Sequence, residues 1–240
     1  MQNSSYIFSD NEGHFLASAE EMRSKLDHIK AFVFDWDGVF NNGEKNISGG
    51  SSYNEIDCMG INMLRFSHWL LKKKLPETII ISGEKNQSSF HIASREHFDC
   101  CYFKVANKTE ALRHLYEHKR INAHEVAFVF DDILDLSIAK ECGLRFLVNR
   151  PGPSLFRNYV KSSLLADYIT FNVSGQYAIR EVTELVMGLR GNFSSAIENR
   201  MNFSPIYKEY LKERNEVKTL FYTSENGSVV LNQPDQTITL

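Results

Sequence analysis

The stretch from Ile29 to Gly43, IKAFVFDWDGVFNNG, constrains the fold more than any other part of the chain. It opens with a short run of apolar, β-prone residues, which predicts a strand buried on both faces. Asp35 and Asp37 follow this run, with one residue between them. Ligands of open α/β sheets bind at the carboxyl ends of the strands, so the stretch predicts a site at that edge.

Two carboxylates this close together allow two kinds of chemistry. They can hold a hard cation such as Mg²⁺, or they can divide nucleophilic and acid–base work between them. A strand followed by an Asp-rich turn without any chemical role explains D-x-D-G alone equally well, because motifs this short recur by chance. The choice depends on the residues that follow.

Three later stretches carry polar residues where a strand ends or a helix begins. TIIISGEKN is an apolar strand pattern that ends at Ser82, and EVAFVFDDILDL is another that ends at Asp131, with Asp135 four residues later. In KVANKTEAL, Lys108 stands at the start of a helical pattern. Taken alone, Ser82 is a turn residue and Lys108 is a solvated lysine at a helix start.

In this order, the four stretches resemble the motifs of the haloacid dehalogenase (HAD) superfamily, whose first motif is D-x-D-G-x-x-x-x-G. Three phrases resemble more narrowly the 3-deoxy-D-manno-octulosonate 8-phosphate phosphatase family, small HAD phosphatases without a cap domain. They are YNEIDCMGINML (53–64), VAFVFDDILDLSIAKECGL (126–144) and ADYITFNVSGQYAIREVTELV (166–186). The resemblance covers about residues 29–189. It implies an α/β, Rossmann-like parallel sheet flanked by helices and no large cap domain. The polar stretch 38–57, rich in Asn, Gly and Ser, predicts a β-hairpin flap with a turn at Ser48–Ser51.

The resemblance also implies a phosphomonoesterase mechanism. Asp35 would attack phosphorus to give an aspartyl-phosphate, and Asp37 would protonate the leaving alkoxide and then activate the hydrolytic water. Ser82 and backbone N–H groups near Gly83 would bind the phosphate. Lys108 would neutralise the phosphate and orient Asp35.

Mg²⁺ is the cofactor that the resemblance implies. Asp131 would hold the ion together with a carboxylate oxygen of Asp35 and the backbone carbonyl of Asp37, since Mg²⁺ prefers oxygen ligands. Asp135 would support this metal site from behind. Asp132 could take the role of Asp131 or Asp135, and we rank it lower.

The chain departs from the family at three places. Phe130 stands where the family has glycine, so its ring would either crowd the phosphate loop or pack into the core. Glu84 replaces an arginine, and with Arg95 it resembles a related branch that acts on nine-carbon sugar acid 9-phosphates. The glycine-rich C-terminal segment is reduced to SGQYA (174–178). The predicted substrate is therefore an eight- or nine-carbon 2-keto-3-deoxy sugar acid phosphate.

Composition excludes some classes of partner. The 240 residues carry 27 basic and 30 acidic side chains, which predicts no nucleic-acid partner. The sequence shows no signal-peptide pattern and no apolar stretch of about 18 residues, so we expect a cytoplasmic protein without a membrane partner. Members of the resembled family are typically tetramers, which implies a homotetramer here.

Alternating strand and helix patterns predict one parallel sheet. We expect an N-terminal extension with a helix (1–28), a phosphatase domain (29–190), and a C-terminal extension (191–240). The extension is predicted to hold one helix over about 192–217 and a hairpin at Asn226-Gly227.

Two rival functions are weighed against the enzyme. A non-catalytic HAD-like module for oligomerisation or regulation would not need five polar groups converging on one sheet edge. A receiver-like domain would not explain the second aspartate of D-W-D or the later D-D-x-x-D. Trp36, between the two aspartates, is predicted to lie in the core on the opposite face of the strand.

Overall fold

One mixed β-sheet organises the computed structural model, which describes residues 13–45, 51–152 and 154–234. The strands are β1 (His14–Phe15), β2 (Ala31–Asp35), β3 (Glu77–Ile81), β4 (Cys100–Phe103), β5 (Val126–Phe130), β6 (Leu144–Asn149), β7 (Tyr168–Val173), β8 (Leu220–Glu225) and β9 (Ser228–Leu231). They run in the order β1-β7-β6-β5-β2-β3-β4-β8-β9. The pairings of β1 with β7 and of β8 with β9 are antiparallel, and the inner pairings are parallel. The predicted α/β class with a parallel sheet is confirmed.

Helices cover both faces of this sheet. They are α1 (Ala19–Leu26), α2 (Glu55–Lys72), α3 (Gln87–Arg95), α4 (Thr109–Lys119), α5 (Leu136–Ala139), α6 (Ser154–Ser162), α7 (Ala178–Arg190), α8 (Phe193–Met201) and α9 (Pro205–Glu216). Phe32 and Phe34 of β2 face a core layer formed with α1, α2, α3 and α7. Ala31 and Val33 face the other layer, formed with α4, α5 and α6. Successive side chains of a strand point to opposite faces, so β2 is buried on both sides, as predicted.

The flap predicted as a hairpin at 38–57 is not a hairpin in the described residues. Residues 41–45 and 51–54 form no strand, and α2 begins at Glu55, inside the predicted flap. Asn41 holds the start of this loop: its side-chain oxygen accepts the Gly43 N–H at 2.9 Å, and its amide donates to the Trp36 carbonyl at 3.2 Å. Such local side-chain bonds compete with strand pairing. The predicted turn at Ser48–Ser51 lies largely outside the described residues.

Two helices occupy the stretch where one was predicted. The helix α8 ends before Phe203, which has a φ of 46°, and Ser204 then caps α9 by accepting the Tyr207 N–H at 3.2 Å. Pro205 follows at the first helical position, where its missing N–H costs nothing, whereas inside one continuous helix it would remove a bond.

The C-terminal hairpin extends the central sheet. Its strand β8 pairs in parallel with β4, and β9 pairs with β8 across Asn226 and Gly227, both with positive φ. That geometry is the one that the Asn-Gly turn predicts. The division of the chain at 28/29 and 190/191 into domains stays a prediction. No helix among the described residues is long and apolar enough to cross a bilayer.

Candidate active site

Three neighbouring strands deliver polar side chains to one edge of the sheet. The strand β2 lies between β5 and β3 and pairs in parallel with both. Asp35 ends β2 in register with Ile81, the last residue of β3, so Ser82 follows at the same edge. Asp131 follows β5 in the same way. The structure therefore brings these predicted residues together because their strands are parallel neighbours.

Three buried carboxylates form the centre of the site. Asp35, Asp131 and Asp135 each offer an oxygen, and these oxygens lie within 4.8 Å of one another. A 3-10 turn places Asp135, whose Oδ2 accepts the Asp132 N–H at 3.2 Å. Gly38 completes the packing, since a Cβ there would lie 2.0 Å from Oδ2 of Asp131 at a φ of 85°. The glycine of D-W-D-G is thus required by the aspartate of the later motif.

Lys108 bridges two of these carboxylates. Its Nζ donates to Oδ1 of Asp35 and to Oδ1 of Asp135, and its side chain is buried. It precedes the first residue of α4, which places the ammonium at the edge of the sheet as predicted. The predicted neighbourhood of Lys108 and Asp35 is therefore present.

Burial sets the electrostatics of the cluster. Burial and then the charge of Asp135 raise the pKa of Asp35 to about 7. Burial and then the charges of Asp35 and Asp135 raise the pKa of Asp131 to about 9. Burial opposes the charged form of Lys108, yet the two carboxylates raise its pKa. The carboxylates outnumber the buried cation, so the cluster favours a further cation.

Arg150 is a member of the site that the sequence patterns missed. It follows β6, the neighbour of β5, and its Nη1 donates to Oδ2 of Asp131 at 2.5 Å. Its side chain is 40% exposed. The segment NRPGP reads as a turn, and the signal that could have revealed Arg150 was its place at the end of a strand next to β5.

Asp37 lies at the rim of the cluster. Its Oδ1 accepts from the Ser51 hydroxyl at 2.8 Å, and its Oδ2 lies 3.7 Å from Nζ of Lys45. The same ammonium lies 3.6 Å from the carboxylate of Glu84. Lys45 therefore links the predicted acid–base residue to the predicted substrate-binding Glu84.

The loop after β3 is held by Ser82. Its hydroxyl oxygen accepts the Glu84 N–H at 3.1 Å, and its own N–H donates to the Tyr102 carbonyl at 2.9 Å. Gly83 faces open space, since a Cβ there would meet nothing within 4 Å. The N–H groups of Ser82 and Glu84 are thus bonded within the protein, and the open space at Gly83 is where an anion could approach the backbone of this loop.

Arg95 is not brought to Glu84. Its guanidinium pairs with Glu55 at 2.9 Å and with Glu96 at 2.9 Å, and it lies over the ring of Tyr53. Among the described contacts, Glu84 pairs with Lys45 instead. The two residues matched to the nine-carbon branch thus have separate partners.

The ring of Phe130 lies in the core. It is fully buried and stacks on Phe128 with a centroid distance of 5.5 Å. Of the two alternatives, packing into the core is the one observed.

Gly175 of the reduced glycine segment has a φ of 70°, and a Cβ there would lie 2.9 Å from the backbone nitrogen of Asn42. This glycine keeps the loop after the first motif in close packing.

Comparisons with known proteins agree with these motifs. No family model matches the chain. The 3-deoxy-D-manno-octulosonate 8-phosphate phosphatase of Salmonella typhi is 28% identical over 181 residues, which cover 72% of this chain and 87% of that protein. The enzyme of the same name from Escherichia coli strain B / BL21-DE3 is 26% identical over 176 residues, covering 73% and 88%.

Solved structures show the same likeness in three dimensions. A probable YrbI family phosphatase of Pseudomonas syringae superposes with a TM-score of 0.64 at 26% identity, covering 76% of this chain and 98% of that one. The Moraxella catarrhalis 3-deoxy-D-manno-octulosonate 8-phosphate phosphatase, solved with magnesium, phosphate and KDO, superposes with a TM-score of 0.63 at 26% identity, covering 75% and 98%. The predicted resemblance and the prediction of a HAD-type phosphatase are confirmed.

Proposed function

We propose that this HAD-type phosphatase is a Mg²⁺-dependent phosphomonoesterase that hydrolyses a phosphorylated 2-keto-3-deoxy sugar acid through an aspartyl-phosphate. The observation that carries the proposal is the grouping of Asp35, Asp131 and Asp135 around Lys108 at one sheet edge. Buried carboxylates in excess of cations cost stability, so a scaffold would gain nothing from such a cluster. Perturbed acids in a group are instead typical of catalytic sites.

In the first step, an oxygen of Asp35 bonds to phosphorus as the ester P–O bond breaks. Asp37 gives its proton to the leaving alkoxide. In the second step, Asp37 takes a proton from water, which attacks phosphorus and releases phosphate and the Asp35 carboxylate. Lys108 holds Asp35 in place, and its charge stabilises the phosphoryl oxygens.

The donors present fit a magnesium ion. Asp35, Asp131 and Asp135 offer carboxylate oxygens, and the raised pKa values of Asp35 and Asp131 express the surplus of negative charge. Asp35, Asp131 and the backbone carbonyl of Asp37 would hold the ion, with Asp135 behind them. A bound Mg²⁺ would supply charge neutralisation for the nucleophile and the phosphate.

The substrate proposal rests on relatives and on the rim of the site. The relatives are named for octulosonate 8-phosphate, and Glu84 is the feature that favours a nine-carbon acid. Glu84 lies beside Lys45, whereas Arg95 is held by Glu55 and Glu96. We propose both chain lengths as candidates, and from the same resemblance a cytoplasmic homotetramer.

The test is phosphate release from a panel of eight- and nine-carbon sugar acid phosphates, with Mg²⁺ and with a chelator. Asp35→Asn should show no release, since the amide is a poor nucleophile. Asp132→Asn is the matched control and should retain turnover, because the Asp132 side chain is 57% exposed and is not among the three clustered carboxylates.

Metal-dependent release that is lost in Asp35→Asn alone would support the proposal, and the better substrate would give the chain length. A folded protein that releases phosphate from no ester would contradict it. The non-catalytic module would then be the better account.

A further inference from the structure

The hydroxyl of Ser51 lies at the meeting point of three polar side chains. Ser51 is 6% exposed and lies in the loop that leads to Glu55, the first residue of α2. Its Oγ receives a hydrogen bond from Nε1 of Trp36 at 2.9 Å and another from Nδ2 of Asn86 at 2.7 Å. Its third contact is with Oδ1 of Asp37 at 2.8 Å.

The direction of each of these bonds follows from chemistry. The indole nitrogen of Trp36 and the amide nitrogen of Asn86 can only donate, so they occupy both acceptor positions of the Ser51 oxygen. The amide of Asn86 cannot be reversed, because its Oδ1 accepts the Ser88 N–H at 3.0 Å where it caps α3. The one hydrogen of the Ser51 hydroxyl must therefore be donated to Asp37.

This donation distinguishes the two oxygens of Asp37. Since Oδ1 accepts the Ser51 hydrogen, it cannot itself carry a proton toward Ser51. Oδ2, the oxygen on the side of Lys45 and Glu84, is left free of this bond and is the one that can face the leaving group. The bond also fixes the χ2 angle of the Asp37 carboxyl group, whose distribution is otherwise broad.

We propose that Ser51 is a positioning residue for the acid–base step, held by Trp36 and Asn86 so that Asp37 presents Oδ2 to the leaving group. The inference rests on the proposed phosphatase function and deepens it. It also assigns Trp36 of D-W-D a role beyond packing, which is to orient the Ser51 hydroxyl. The ring of Trp36 is fully buried and stacked on Phe40, and its one polar atom is aimed at Ser51.

The test separates ester substrates by their need for a proton. An alkyl phosphate needs the leaving oxygen protonated, whereas p-nitrophenyl phosphate releases a stable phenolate without help. In Ser51→Ala, the single-turnover burst of alcohol release from an alkyl phosphate should fall at least tenfold. The burst of nitrophenolate should stay within about twofold of the wild type. A purely structural role would lower both alike.

Two further variants keep the test decisive. Ser51→Thr retains the hydroxyl and should restore the alkyl burst to within about threefold of the wild type. Trp36→Phe keeps the aromatic ring but removes one donor, which frees the Ser51 hydroxyl to turn. It should also lower the alkyl burst selectively, and it replaces Ser51→Ala should that variant fail to fold.

The outcomes distinguish this inference from the proposed function. An Asp35-dependent burst with both esters, reduced only for the alkyl ester in Ser51→Ala, supports the inference. Equal losses for the two esters, or no loss, would overturn it and leave the phosphatase proposal standing. The absence of any Asp35-dependent release from either ester would overturn the phosphatase proposal, and the inference with it.

Discussion

Replacing Asp35 with asparagine should abolish turnover and, without metal, make the protein more stable. Burial and the charge of Asp135 raise the pKa of Asp35 from 3.8 to about 7. Between these pH values the folded chain keeps a proton that the unfolded chain has lost. The stability that protonated Asp35 provides is complete below pH 3.8 and is lost as the pH rises through 7.

The magnitude follows from the shift. One pKa unit corresponds to about 1.4 kcal/mol, so the ionisable Asp35 lowers the free energy of unfolding by about 2 kcal/mol at pH 5 and about 4 kcal/mol at pH 8. Asparagine is neutral and of similar shape, and it leaves Lys108 paired with Asp135. Its weaker hydrogen bond to Lys108 costs about 1 kcal/mol. The expected net gain is about 1 kcal/mol at pH 5 and about 3 kcal/mol at pH 8.

The assay is urea denaturation with a chelator at pH 5, 6.5 and 8, beside phosphate release. Asp132→Asn changes an exposed acid of the same site and should stay within about 0.5 kcal/mol of the wild type. Added Mg²⁺ should stabilise the wild type more than Asp35→Asn, because the wild type keeps the carboxylate ligand. An Asp35→Asn protein less stable than the wild type at pH 8 without metal would refute the argument that the cluster carries surplus negative charge.

Three further predictions concern single residues. Burial lowers the pKa of His68 to about 3, so below pH 6.5 the unfolded chain takes up a proton that the folded chain does not, and the contribution of His68 to the free energy of unfolding should fall by about 2 kcal/mol from pH 7.5 to pH 5. Urea curves of His68→Gln should lack this slope, and an unchanged slope would contradict the assignment. Phe130→Ala should cost about 3 to 4 kcal/mol in urea denaturation without faster turnover, whereas a gain in rate would mean that the ring crowds the site. Arg150→Gln frees an oxygen of Asp131, so this variant should bind Mg²⁺ about fivefold more tightly than the wild type, measured as a thermal shift against metal concentration. Weaker binding would contradict the idea that Arg150 and Mg²⁺ compete for this oxygen.

Local patterns predicted the sheet and the position of the main site residues at one of its edges. Apolar runs that end in acids are strands that end at a sheet edge, because a strand buried on both faces can place charge only beyond its last residue. The order of strands and helices requires parallel neighbours, which brings Asp35, Ser82 and Asp131 to one edge. Glycine in D-W-D-G and the turn at Asn226-Gly227 were likewise visible in the sequence.

Loop conformation and the partners of long side chains were not visible in the same way. The flap was predicted as a hairpin because its composition is polar and rich in turn residues, yet Asn41 bonds its own backbone instead. Arg95 was matched to Glu84 by the resemblance to the nine-carbon branch, but the partners of a long flexible side chain depend on which elements pack beside it. Here those partners are Glu55 and Glu96.

The sequence by itself determined the fold class, the strand that carries D-W-D, and the presence of carboxylates and a lysine at its end. Tertiary structure alone decided that Arg150 reaches Asp131, that Phe130 packs into the core, and that Ser51 donates to Asp37. Periodicity and strand order act over neighbouring residues and can be read along the chain. Hydrogen bonds between loops depend on where separate segments meet in space, and that is fixed only when the whole core packs.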